Sequence, residues 1–351
     1  MKRLVIAFLA IVCLVSFSEG QTNKKKAAPK TPAKKSAVAA HPQKAAPSQK
    51  PKGCVSQTPY IGAIVVDADT GAVLFEDKPD APGYPASTLK LMTLLVIQEK
   101  IDAGQVKLSD MVKVSVAACK TGGSQVYLDP KETFSVEDLL YAMMIQSAND
   151  AAVALAEHVG GTKEGFVELM NAKAQQLGMS NTHYASVHGL PPSAGQKNDV
   201  SSARDMATLA RELCKHPAVF AYTSAAYRQF RPNTPKPFDM RTHNPFLKEG
   251  AAGCDGFKTG FTATAGWSIV VTAKRDGRRV IVVVLGSDAR KMRDAKAHEL
   301  LGKGFALLPA AATPAAAVPA AAAVVPTAPA IAVPAATPAA AVPAAAAAPA
   351  K

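Results

Sequence analysis

The 351 residues include 40 Lys and Arg against 27 Asp and Glu, a formal net charge of +13. Nine lysines and no acidic residue fall within residues 21–53, so the basic balance belongs to that segment and the remainder is close to neutral. The charge therefore says little about an active site, and nucleic acid is a poor partner for a chain that opens with an export signal.

That signal occupies residues 1–20: Lys2 and Arg3, a 14-residue apolar run from Leu4 to Phe17, then Ser18-Glu19-Gly20 with small residues at its first and third positions. The chain is expected to be exported, periplasmic or extracytoplasmic. The run is short for a membrane span, and only an uncleaved signal would leave an N-terminal membrane tether. Residues 21–53 are Lys, Ala and Pro and hold nothing that could build a core. They read as a disordered basic linker, either a plain spacer or a segment weakly attracted to anionic envelope polymers.

Residues 54–308 are expected to form the folded domain. It begins with a hairpin, Ile61 to Asp67 and Ala72 to Glu76, turning at Ala68-Asp69-Thr70-Gly71. A helix from Leu89 to about Ile101 is apolar nearly all round, which predicts burial in the middle of the domain. From Val112 to Ala156 the chain reads as mainly helical after Val116, broken at Gly122-Gly123, with Ser135 and Asp138 as a capping box for a helix over Val136 to Gln146. Glu164 to Leu177 is another helix, closed by Gly178. Trp267 to Lys274 and Arg279 to Leu285 are Val- and Ile-rich strands joined through Asp276-Gly277, and Arg290 to Phe305 is a closing helix. Strands at both ends with helices between them predict an α+β domain, an antiparallel sheet flanked by helices with a helical subdomain. Residues 309–351 are Ala, Pro and Val with a proline every few residues, a disordered tail that can be neither a helix nor a span.

Three short stretches carry chemistry. Ser87 and Lys90 stand three residues apart where the buried helix begins, so the lysine can reach the serine hydroxyl. Such a hydroxyl needs a base, and lysine serves only as the free amine, its pKa brought down from about 10.4 by burial or a second positive charge. Ser147-Ala148-Asn149 follows the helix of the capping box. Lys258-Thr259-Gly260 lies just before the strand-rich region. S-x-x-K, S-x-N and K-T-G in this order form a known signature of penicillin-binding proteins and class A β-lactamases.

The sequence from about Tyr60 to Leu308 resembles the low-molecular-mass penicillin-binding proteins, serine D-alanyl-D-alanine carboxypeptidases. Phrases such as Val66-Asp67-Ala68-Asp69-Thr70-Gly71, Ser202-Ala203-Arg204-Asp205-Met206 and Asp255-Gly256-Phe257-Lys258-Thr259-Gly260 extend the likeness beyond the motifs. The resemblance implies a transpeptidase fold of the β-lactamase and penicillin-binding-protein kind. It also implies stem peptides ending in D-Ala-D-Ala as substrate, β-lactams as acylating inhibitors, and no metal or other cofactor. By this resemblance Ser87 is the nucleophile, Lys90 the base, Ser147 a proton relay and Asn149 a support for Lys90 or the substrate amide. Lys258 and Thr259 would receive the terminal carboxylate, Gly260 precedes the oxyanion donor Phe261, and Arg293 would support the carboxylate pocket. Many relatives have histidine where Phe261 stands, which changes the pocket rim. Many also carry a β-rich second domain and a membrane-binding amphipathic helix that the tail here does not resemble.

A D,D-endopeptidase cutting peptide cross-links would use the same machinery. A class A β-lactamase would need a glutamate in an E-x-x-L-N stretch, which Glu168-Leu169-Met170-Asn171 does not fit. The intact motif residues argue against a non-catalytic wall-binding module. Arg204 is expected to be an ion-paired structural residue, and His188 a structural loop residue. In an oxidising compartment Cys54, Cys119, Cys214 and Cys254 allow three full pairings, among which the sequence does not choose. Neither the cysteines nor the seven histidines show metal-ligand spacing.

Overall fold

Val280 to Leu285 is an unbroken apolar run, the pattern of a strand covered on both faces. The computed structural model, which describes residues 59–308, bears this out. Val280, Val282 and Val284 enter one hydrophobic cluster while Ile281 and Val283 enter another on the opposite face of the sheet. The strands are β1 (Gly62–Asp67) and β2 (Val73–Asp77) near the start, and β7 (Cys254–Thr262), β8 (Gly266–Arg275) and β9 (Arg278–Ser287) near the end. They form one antiparallel sheet in the order β2-β1-β9-β8-β7. The two ends of the domain are thus zipped together, and β7 is left as an edge. Asp276 and Gly277 both take positive φ, 48° and 77°, as the two-residue turn between β8 and β9 requires.

The closing helix α9 (Arg290–Leu307) covers the face of Val280, Val282 and Val284 with Ala297, Leu300 and Leu301. On the other face lie α1 (Lys90–Asp102), entered through a 3-10 turn at Ala86–Leu89, and α6 (Ala203–Cys214). Every residue of α1 from Lys90 to Gln98 is buried, as its all-round apolarity predicts, and each such Leu or Ile contributes ~1.5–3 kcal/mol by leaving water. Around it stand β3 (Met111–Lys113), α2 (Val116–Cys119), β4 (Thr133–Ser135), α3 (Val136–Ile145), α4 (Asn149–Gly160) and α5 (Lys163–Gln176). The rest of the subdomain is α7 (Phe220–Thr223), the hairpin β5 (Tyr227–Phe230) and β6 (Phe238–Arg241), and α8 (Pro245–Lys248). Among the described residues no helix is long and apolar enough to cross a membrane.

The hairpin, the central helix, α3, α5, the β8–β9 pair and α9 agree with the sequence reading. Three features differ. Residues 120–132 are irregular rather than helical, because the buried Asp150 carboxylate accepts the N–H groups of Val126 and Leu128, at 3.1–3.3 Å, and holds the chain off a helical path. Tyr127 there has φ +58°. Lys258-Thr259-Gly260 lies inside a strand rather than before one, since β7 pairs with β8 from Cys254 to Thr262. Ser135 caps α3 by accepting from the Asp138 N–H, but the Asp138 carboxylate accepts from the Ser135 hydroxyl and Arg228 instead of closing the box on backbone.

Arg204 is ion-paired, with Asp80 at 2.8 Å and Glu76 at 3.0 Å. Cys119, Cys214 and Cys254 are free thiols. The signal segment, the basic linker with Cys54, and the Ala/Pro tail lie outside the described residues.

Candidate active site

Ser87 sits in the 3-10 turn ahead of α1, half-buried, while its neighbours from Pro85 to Lys90 are buried. The preceding Ala86 is held at φ +47°, a left-handed conformation that costs a non-glycine residue roughly 1–2 kcal/mol. That kink lifts the serine out of the buried turn. Two glycines permit close approaches that fix it. A Cβ on Gly260 would stand 2.7 Å from the Pro85 carbonyl and 3.2 Å from the Ser87 nitrogen, so glycine lets the edge strand β7 press against the turn. A Cβ on Gly189 would lie 2.2 Å from the Ala86 carbonyl oxygen.

Lys90 has no exposure, and its Nζ lies 3.1 Å from Ser87 Oγ, 2.7 Å from Asn149 Oδ1 and 2.8 Å from the His188 carbonyl oxygen. Burial, with Lys258 close by, pushes this amine well below the ordinary lysine range, against the opposing pull of Asp199 and Asp150. A neutral amine has two N–H bonds and one lone pair. The Asn149 and His188 oxygens take the two N–H bonds, which leaves the lone pair for the Ser87 hydroxyl proton.

Asn149 is itself fixed. Its Nδ2 donates to the Gly122 carbonyl and its backbone N–H to the Ser124 carbonyl, both at 2.8 Å. The His188 carbonyl is aimed by Asp199, which accepts from the Ala185 and Ser186 N–H groups and the Ser186 hydroxyl at 2.6–2.8 Å. The imidazole of His188 is pushed down to about 3 by burial and by Lys90, so it is neutral, and its Nδ1 accepts from the Leu190 N–H. His188 is thus a loop residue, as read, but its backbone serves the site.

Ser147 faces the cleft between α3 and α4 with φ +62° and 3% exposure. On β7, Lys258 is buried beside the cleft floor, donates to the Thr259 carbonyl at 3.0 Å, and is pushed down to about 7 by burial and by Arg293. The positive charge of Lys258 is among the causes that lower the Lys90 pKa, second to burial. Thr259 and the exposed ring of Phe261 line the cleft. Arg293, 2% exposed on the first turn of α9, reaches it from behind, held by Asp294 and the Ser268 carbonyl.

All nine residues singled out in the sequence therefore meet at one cleft of about 300 Å³ or directly beneath it. Sequence reasoning missed Ser124, His243, Lys248, Trp267 and Arg290, which also line it. Only Trp267 carried a signal, since the β7–β8 hairpin places it opposite Phe261. Glu99, Glu212 and His216 come together at the far end of α1, but Lys173 and Lys215 already pair with the two carboxylates and Asp102 with the imidazole.

Residues 54–289 match the D-alanyl-D-alanine carboxypeptidase family. D-alanyl-D-alanine carboxypeptidase DacF of Bacillus subtilis is 38% identical over 244 residues, covering 70% of this chain and 61% of that protein. DacC of Escherichia coli is 39% identical over 248 residues, with 69% and 60% covered, so the chain spans about three fifths of the curated relatives it matches. Among solved structures, penicillin-binding protein 5 of Haemophilus influenzae superimposes with a TM-score of 0.66 at 34% identity, over 72% of each chain. Penicillin-binding protein D2 of Listeria monocytogenes, in its ampicillin-bound form, gives 0.62 at 32% identity over 70% of this chain and 97% of that one. The chain belongs to the D-alanyl-D-alanine carboxypeptidase family.

Proposed function

We propose that the protein is a serine D-alanyl-D-alanine carboxypeptidase that removes the terminal D-alanine from peptidoglycan stem peptides through an acyl-enzyme on Ser87. The observation that carries this reading is the Lys90 amine, buried, with its pKa held well below the ordinary lysine range, and 3.1 Å from Ser87 Oγ. Ser87 passes its proton to Lys90 as Oγ attacks the carbonyl carbon of the D-Ala-D-Ala bond. The oxyanion is received by the backbone N–H groups of Ser87 and Phe261, each such donor contributing roughly 3–4 kcal/mol. The C–N bond breaks, the proton reaches the departing amine through Ser147, and D-alanine leaves. Water then attacks the ester, giving its proton to Lys90, and Ser87 is restored.

The terminal carboxylate is received by Thr259, Lys258 and Arg293. Lys248 and Arg290 add positive charge at the rim, and no carboxylate stands among the described residues lining the cleft. Glu168 is exposed on α5 rather than in the cleft, which speaks against the deacylating glutamate of a class A β-lactamase. β-Lactams, whose ring amide and carboxylate mimic the substrate, would acylate Ser87, in keeping with the ampicillin-bound Listeria protein. The enzyme works outside the cytoplasm: residues 1–20 are its export signal, 21–53 a basic linker attracted to anionic envelope polymers, 54–308 the catalytic domain and 309–351 a tail.

The test is to incubate the purified protein with a labelled penicillin, map the modified peptide and measure D-alanine release from a D-Ala-D-Ala peptide. An adduct on Ser87, absent in Ser87→Ala, with D-alanine release supports the reading. Turnover of cross-linked dimers without D-alanine release replaces it with an endopeptidase, and rapid drug hydrolysis without an adduct replaces it with a β-lactamase.

A further inference from the structure

Thr259 and Phe261 are two residues apart on β7, so both side chains leave the same face of the strand. Phe261 is paired across the sheet with Trp267, and the two rings stack with centroids 3.9 Å apart and planes inclined by 24°. The Arg293 guanidinium lies 5.8 Å from the centre of the Trp267 ring. All four side chains line the cleft.

A plain structural role accounts poorly for the pair. Neither ring belongs to either hydrophobic cluster, and Phe261 is 48% exposed although its strand is otherwise buried from Gly256 to Gly260. A cross-strand aromatic pair would steady the sheet edge equally well on the side away from the cleft. Here it stands beside the two groups that receive the substrate carboxylate. A leaving D-residue anchored through that carboxylate would have its Cα next to Thr259 and Arg293, with the two rings within reach of its side chain. The methyl group of D-alanine covers little of such a wall.

Resting on the carboxypeptidase reading, we infer that the Phe261–Trp267 stack is a specificity wall of the leaving-group pocket. The enzyme favours, over D-alanine, terminal D-residues with large apolar side chains, aromatic ones above all. The covalent steps are unchanged: the same C–N bond breaks, the amine of the larger residue takes the proton, and the ester on Ser87 is identical. The cationic rim keeps the requirement for a free carboxylate, so peptides amidated at the C-terminus stay poor substrates.

The experiment compares kcat/KM for N-acetylated tripeptides ending in D-Ala-D-Ala, D-Ala-D-Leu and D-Ala-D-Phe, by chromatographic detection of the released D-amino acid. The expected result is a preference of about tenfold for D-Phe over D-Ala, with D-Leu between, the scale that one apolar contact gives in a specificity pocket. In Phe261→Ala the ratio of D-Phe to D-Ala rates falls about tenfold, whatever happens to the rate common to both. A wild-type ratio of one or less overturns the inference and leaves the carboxypeptidase reading intact. So does an unchanged ratio in a Phe261→Ala protein that still takes labelled penicillin on Ser87. If that variant does not fold, the wild-type ratio alone decides. Failure to cleave any of the three peptides overturns both readings.

Discussion

Replacing Asn149 by Asp puts a carboxylate where the Oδ1 now accepts from Lys90 at 2.7 Å. At that distance, with an effective dielectric constant of about 20, a charge pair is worth ~6 kcal/mol, equivalent to about four pKa units in favour of protonated Lys90. The added charge raises the Lys90 pKa toward the ordinary lysine value of about 10.4; a full return there would set the lower bound, about one molecule in a thousand carrying the free base at pH 7.5. Acylation by a penicillin should therefore fall by up to ~1000-fold at pH 7.5 and recover about tenfold for each pH unit above it. Asn149→Ala is the control. It removes the bonds to Lys90 and to the Gly122 carbonyl and should cost ~1–3 kcal/mol, an essentially pH-independent loss. The assay is the second-order rate of labelling of Ser87 between pH 6 and 10, as roughly set by the range of lysine titration. If Asn149→Asp and Asn149→Ala give parallel profiles, Asn149 does not govern the protonation of Lys90, and the base assignment loses its main support.

Gly260→Ala places a Cβ 2.7 Å from the Pro85 carbonyl, so β7 must retreat from the turn that carries Ser87. Acylation should drop ~100-fold or more while circular dichroism stays native, since a shift of about 1 Å at a reacting centre has that effect. Lys258, pushed down to about 7 from the ordinary lysine value, stays neutral in the native state over a range where the unfolded chain is protonated. Its contribution to stability therefore rises with pH by up to ~1.4 kcal/mol per unit, between the folded value of about 7 and the unfolded value of about 10.4. Thermal denaturation of Lys258→Met should lack that rise, be more stable than wild type near the lower value, and show KM losses confined to substrates with a carboxylate. Asp150→Asn turns an amide toward the N–H groups of Val126 and Leu128 and should lower stability by ~1–3 kcal/mol per broken bond, together with the acylation rate. An unchanged melting temperature would show that residues 120–132 do not depend on Asp150.

Most of the framework was legible because its signals are local. The all-round apolar α1, the Val- and Ile-rich runs of β8 and β9 with Asp276-Gly277 between them, and the S-x-x-K spacing each need only a few neighbouring residues. What was not legible depends on partners far along the chain. Residues 120–132 follow Asp150, more than twenty positions on, and no pattern within the segment announces it. The His188 carbonyl is a backbone group, invisible to any reading of side-chain types, yet it receives Lys90 across 98 positions. α6 is an ordinary amphipathic helix capped by Ser202, whose Oγ accepts from the Asp205 N–H. Lys248 and Arg290 stand at the cleft only because the end of α8 and the start of α9 converge there beside β7.

The cleft concentrates features that cost stability. Ala86 and Ser147 are non-glycine residues in left-handed backbone, one beside Ser87 and one across the cleft from it. Lys90 and Lys258 are buried amines without a buried carboxylate in direct contact, and burial is the main reason that both release protons easily. Each would be better replaced by an apolar side chain if folding alone mattered. The sheet makes them tolerable. β9 is sealed on both faces by the two hydrophobic clusters, and the clusters hold α1 and α9 in fixed positions around β7. The strained turn and the two amines are then fixed in advance, so on the proposed reading a terminal carboxylate would meet positive charge and a base that need no further rearrangement.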